Sequence, residues 1–171
     1  YIDFVVRTSK FDTPKGAIRR ITEISEISKD WNEEPEYVTL FSDDRENDIL
    51  RPTNLFKGPE KAVDQVNSYD LSDLNLKETA DELDFLPEKE GGSQYIPRVC
   101  ERLAIDRHDL ILRILSEAKL KSELFLLSKS QKNNRFLELP FVRKSYDRYF
   151  SEVQNCSFDY SEAFSNWYEW L

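Results

Sequence analysis

The apolar pattern of this chain changes period near Asn54, and that change limits the fold more than any single motif. Before it, short β-branched and aromatic runs separated by polar turns suit strands, whose side chains alternate between two faces. After it, apolar residues recur at three- and four-residue spacing, which gathers them on one side of a helix. The expected fold class is α+β: a small antiparallel β-sheet or ribbon followed by a mainly α-helical C-terminal module. The corresponding domains are 1–54, rich in strands, and 55–171, helical.

Residues 2–7 (Ile-Asp-Phe-Val-Val-Arg) have the composition of a largely buried strand, and Thr13-Pro14-Lys15-Gly16 supplies a turn. In the run 17–28, Ile18, Ile21, Ile24 and Ile27 recur every three residues, which fits neither period cleanly. The β-branched content and the alternation of Ile21, Glu23 and Ser25 favour a strand, with a helix as the alternative. Residues 36–42 form another strand-rich stretch. The polar segment 43–48 turns the chain, and 49–51 pairs back before Pro52 ends the strand.

The second half opens on Gly58-Pro59, where proline suits the first turn of a helix over 59–68. The segment 70–73 offers N-caps for a helix over 73–86, with Leu74, Leu76, Ala80, Leu83 and Phe85 as core residues. After a charged break at 87–92, Ser93 caps a helix reaching Ala118 in one or two pieces, and Ser122 caps another over 123–129. A basic link at 129–135 leads to a helix over 140–153 that opens at Pro140. The last segment, 159–170, carries Tyr160, Phe164, Trp167 and Tyr168 at helical spacing. That stripe reads first as core and, if exposed, as a partner-helix or membrane-edge site.

The chemistry is read mainly by elimination. His108 is the single histidine, so Ser-His-Asp, Cys-His and multi-histidine metal sites have no basis within one chain; beside Asp106, Arg107 and Asp109 it reads as a solvated or salt-bridged surface residue. Carboxylate pairs (Glu23 with Glu26, Glu33 with Glu34, Asp43 with Asp44, Asp81 with Glu82) are so common in a chain of net charge −9 that each reads as solvated. Four glycines are present and none lies in a phosphate-cradling P-loop, although Arg7, Arg19 or Arg20 could touch a nucleotide from outside. The net charge of −9 argues against nucleic acid as a partner, though a local basic patch can override the total. No apolar run approaches the roughly 18–20 residues of a membrane span. Cys100 and Cys156 read as two reduced thiols of a cytoplasmic protein. No complete catalytic site, cofactor site or metal site is expected. A chain that begins at Tyr1 on a strand-like segment and contains no methionine also raises the expectation of a piece cut from something longer.

The order of elements resembles the end of the motor domain in archaeal type II/IV secretion ATPases, the hexameric engines of archaeal pili and archaella. The residues that carry the resemblance are Ile2, Asp3, Val5 and Val6 in a first strand. Arg19, Arg20, Ile21, Glu23, Ile24, Glu26 and Ile27 follow in its partner, then Tyr37, Leu40, Phe41, Asp43 and Asp44 in an aromatic strand with acidic residues. Glu101-Arg102-Leu103 and the run from Arg107 to Leu112 look like the family's helical subdomain, and Ala118-Lys119-Leu120-Lys121 looks like its connecting turn. The match covers about residues 2–50, and 75–130 more loosely; the helical part departs from the family in lacking the usual glycine in its turn. In the family the Walker motifs lie upstream of this point, so the resemblance implies a non-catalytic C-terminal region whose parent uses ATP and Mg. It further implies other ATPase subunits and a membrane platform protein as partners, no nucleic acid, and a cytoplasmic place peripheral to the membrane's inner face. Arg19, Arg20, Tyr160, Phe164, Trp167 and Tyr168 are the candidate interaction residues. Two other readings stand beside it: a free-standing acidic interaction module using its aromatic C-terminal helix, and, more distantly, a metal-dependent hydrolase built on Asp/Glu clusters.

Overall fold

The computed structural model describes residues 3–14, 16–28, 33–46, 49–68 and 70–171. It is an α+β fold, as the change of period requires. Ile2, Lys15, Asn47 and Asp48, which the strand and turn expectations include, lie outside the described residues.

Strands β1 (Phe4–Thr13), β2 (Gly16–Ile27), β3 (Tyr37–Asp44) and β4 (Ile49–Pro52) form one sheet in the order β1-β2-β3-β4, every neighbour antiparallel. The ambiguous isoleucine run is therefore a strand. Its period of three is explained by bulges: Arg7 faces Glu23 while Thr8 faces Ile21, so Thr22 is the surplus residue on β2. A second irregularity, between Ile24 and Ser25, makes Leu40 the surplus residue on β3. At the tip, Thr13 pairs with Gly16, whose φ of +117° is a conformation that side chains disfavour. β1 is not the buried strand its composition suggests. It lies at the sheet edge, with Phe4 37% and Val6 52% exposed. β-branched residues report extended backbone, and burial depends on which neighbours the sheet supplies.

Two short strands, β5 (Phe56–Lys57) and β6 (Asp84–Phe85), pair antiparallel, with the Phe56 and Phe85 rings stacked at 5.5 Å. Between them lie α1 (Glu60–Val66) and α2 (Leu76–Glu82). α2 is thus shorter than the helix expected over 73–86, because Asp84 and Phe85 leave it to pair with β5. Then come a 3-10 turn at Glu88–Glu90, α3 (Tyr95–Leu103), α4 (Arg107–Gln131), a second 3-10 turn at Asn134–Leu137, α5 (Leu139–Asn155) and α6 (Tyr160–Trp170).

Ser93 acts as the cap of α3: its Oγ accepts from the backbone N–H of Tyr95 at 3.0 Å and of Ile96 at 3.3 Å. α3 stops at Ala104, which takes a left-handed conformation at φ 51°. Ser122 does not start a helix. It sits inside α4, where its buried Oγ accepts from the Leu71 N–H at 3.0 Å. Neither Gly nor Pro interrupts residues 98–139, so nothing stops α4 at that serine.

The chain forms two compact units, Tyr1–Pro59 with Leu83–Arg107, and Glu60–Glu82 with His108–Leu171. The division at 54 read from the sequence is linear, whereas these units interleave. The β5–β6 pairing returns the chain to the strand-bearing unit after α2, so α3 belongs with the sheet. Leu40, Leu55, Leu83 and Phe85 are buried in the first unit. In the second, Leu74, Ile111, Leu115, Leu120, Leu124, Tyr149 and Trp167 are at most 2% exposed.

Candidate functional site

β3 pairs with β2 only over Glu23–Ile27. Beyond Arg7, β1 and β2 continue alone, Thr8–Thr13 facing Gly16–Ile21. This is a two-stranded ribbon of six residues a side, about 20 Å at the usual rise per residue. Alternation assigns its faces. Val6, Thr8, Lys10 and Asp12 of β1 and Ala17, Arg19 and Ile21 of β2 are exposed. Ser9, Phe11, Thr13, Ile18 and Arg20 are half-buried, and the Arg45 guanidinium lies 5.8 Å from the Phe11 ring.

The two arginines singled out by the sequence are thereby parted. Arg19 lies on the open face and Arg20 on the covered one. Arg19 instead meets Lys10, directly opposite it in the register. Lys10 reaches Asp12 at 3.3 Å, and Arg7 pairs with Glu23 at 3.1 Å. The ribbon itself, Thr8–Thr13 and Gly16–Ile21, holds three cations (Lys10, Arg19, Arg20) against one carboxylate, Asp12, in a chain of net charge −9. Lys10 is the member sequence reading missed. Counting back from the Thr13–Gly16 turn would have placed it opposite Arg19.

The aromatic stripe has a different fate. Tyr160, Phe164 and Trp167 are buried, and Tyr168 is 53% exposed. Phe164 lies 5.4 Å from Trp167 and 6.2 Å from Tyr168. α6 therefore turns most of the stripe inward, as an amphipathic helix does when it closes a helical unit.

Beside α6 a cleft of about 440 Å³ is lined by residues that include Asn75, Lys77, Lys119, Asp159, Ser161 and Phe164. Its charged groups Lys77, Lys119 and Asp159 are committed to the fold, whereas the buried Ser161 Oγ has no hydrogen-bond partner among the described residues. The Lys119 amine donates to the Leu74 carbonyl at 2.8 Å and lies 5.0 Å from the Phe164 ring. Burial holds its pKa below that of an ordinary lysine, against the opposing pull of Glu123 and Asp73. Asp159 caps α6 through the N–H groups of Ser161 and Glu162 and pairs with Lys77 at 3.0 Å.

Several carboxylates of the pairs read from the sequence have partners in the fold. Asp43 and Asp44 pair with Arg45 and Arg51, at 3.5 and 2.6 Å. Glu26, 4% exposed, accepts from Ser93 Oγ, and Ser25 donates to Glu23 at 2.7 Å. His108 Nε2 lies 3.0 Å from Asp81 on the surface. Cys100 and Cys156 are both free thiols, each held above the ordinary cysteine pKa chiefly by desolvation. Among the described residues no helix is long and apolar enough to cross a membrane. Comparison with protein-family models, curated proteins and solved structures gives no match.

Proposed function

We propose that this chain acts by contact rather than by catalysis, as a protein-interaction module whose contact element is the β1–β2 ribbon. The observation that carries the reading is a ribbon that runs past its last supporting strand. There it exposes Ile21 beside Lys10 and Arg19, with Val6 exposed on the same face just before it. An isolated two-stranded hairpin is at best marginal in water, so a ribbon that buries little of itself is stabilised by what it meets. The contact site thus lies on the strands, whereas the free-standing module read from the sequence places it on the aromatic C-terminal helix.

The assembly served is a finer part of the proposal. The resemblance to secretion and pilus ATPases makes a neighbouring motor subunit or a membrane platform protein the first partner to test, with ATP and Mg handled elsewhere in the assembly. The experiment is photocross-linking in the native host from a benzoylphenylalanine placed at Ile21. A discrete adduct with a secretion-ATPase or platform protein supports both the contact and the assembly. A discrete adduct with another protein keeps the contact and removes the ATPase, and the absence of any adduct removes both.

A further inference from the structure

We infer that the free edge of β1 and the basic face beside it take an extended acidic segment of a partner protein, added as a fifth strand. The inference rests on the contact reading above and names the chemistry of the partner.

An edge strand points the N–H and C=O of alternate residues away from its neighbour, ready to pair with another chain. β1 keeps a regular run for this, because the surplus residue of its bulge, Thr22, lies on β2. On the open face, Lys10 and Arg19 stand side by side, with exposed Ile21 next along β2 and exposed Val6 farther along β1 on the same face. Lysine at an edge also disfavours edge-to-edge pairing with another copy. Over Gly16–Ile21 β2 is not paired with β3 either, but that role does not account for placing Arg19 directly opposite Lys10, where like charges destabilise the pair. An incoming strand with Glu or Asp at alternate positions sets those side chains on the open face and turns this repulsion into attraction, its intervening residues falling on the opposite face with Ser9 and Phe11.

Charge decides between a peptide and a nucleic acid. The whole chain carries −9, so a dense polyanion is repelled by everything beyond the ribbon. A segment with a few carboxylates stays within about a Debye length, 8–10 Å, of the ribbon's cations.

The test uses the full chain and a fluorescein-labelled octapeptide of alternating Glu and Val, followed by anisotropy at low salt and near 0.15 M. The inference expects saturable binding that weakens with salt. It expects at least about a tenfold loss for the K10E/R19E double variant and for the peptide with Gln in place of Glu. Amide exchange should slow along β1. A thermal melt no lower than that of the parent shows that the double variant is folded. Equal binding by the Gln peptide, by K10E/R19E, or by a peptide N-methylated on its ladder-forming amides overturns the inference. So does tighter ribbon-dependent binding of a DNA or RNA oligonucleotide, or a ribbon-dependent dimer that excludes the peptide. Failure of the peptide while cross-links from Ile21 persist removes the acidic strand and leaves the contact reading standing; failure of both removes both.

Discussion

Lys10 and Arg19 face one another across the β1–β2 ribbon, two cations in one cross-strand pair. The sheet gains nothing from that arrangement, which the nearby Asp12 carboxylate, 3.3 Å from Lys10, moderates. Replacing Arg19 by Glu should therefore stabilise the isolated chain, by about 0.2–1 kcal/mol on the scale of cross-strand pairs. Urea denaturation measures it. A less stable Arg19→Glu chain would show that the arginine supports the fold rather than a contact.

Ser93 joins three groups: the buried Glu26 carboxylate and the first N–H groups of α3, Tyr95 and Ile96. Ser93→Ala removes the cap and takes a donor from a carboxylate that is 4% exposed. The expected loss is about 2–3 kcal/mol, more than the typical ~1 kcal/mol of a solvent-exposed cap. Chemical denaturation of Ser93→Ala beside Ser93→Thr, which keeps the hydroxyl, separates the hydrogen bonds from packing.

Tyr149, fully buried, donates to Ser116 Oγ at 2.5 Å. Tyr149→Phe should cost about 1 kcal/mol near neutral pH, because Ser116 still donates to the Arg113 carbonyl at 2.9 Å. Burial raises the Tyr149 phenol well above its ordinary 10.0, and raises Tyr160 in the same direction. A raised folded-state pKa gives stability that is complete below 10.0 and lost as pH rises through the folded value. The stability gap between the parent and Tyr149→Phe should therefore narrow above pH 10.0, as alkaline denaturation series would show.

Asp159 gives the opposite dependence. Hydrogen bonds from the Glu162 N–H and then from Lys77 hold its carboxyl below the ordinary 3.8. Its contribution is present above 3.8 and lost as pH falls through the lower folded value. Asp159→Ala should cost about 0.5–2 kcal/mol at neutral pH as a lost cap, with the gap closing in acid. Asp159→Asn should retain most of the cap and lose the pairing with Lys77. Thermal melts across the acid range check both variants.

The turn at residues 13–16 and the alternation of Ile21, Glu23 and Ser25 made the hairpin legible, and its register follows from the turn. The bulge at Thr22 was hidden, because a surplus residue in a ladder looks like a period of three. Pro140 and the aromatic spacing after residue 159 marked α5 and α6. Ser122 misled because its hydroxyl, suited to a helix start, is used on a distant backbone N–H instead. The interleaving of the units depends on two residues, Asp84 and Phe85, pairing with a strand at 56–57, a contact too short to leave a pattern. At the candidate site, Arg19 and Arg20 stood out as basic residues in an acidic chain. That they lie on opposite faces, and that Lys10 joins Arg19, needed the pairing of two strands.

The most direct test of the account is photocross-linking from two exposed apolar positions, Ile21 on the ribbon, 45% exposed, and Leu139 at the start of α5, 78% exposed. If the ribbon is the contact element, Ile21 yields a discrete adduct that K10E/R19E removes, and the more exposed Leu139 yields none. Equal adducts from both positions, or an Ile21 adduct indifferent to the two charge reversals, would contradict it.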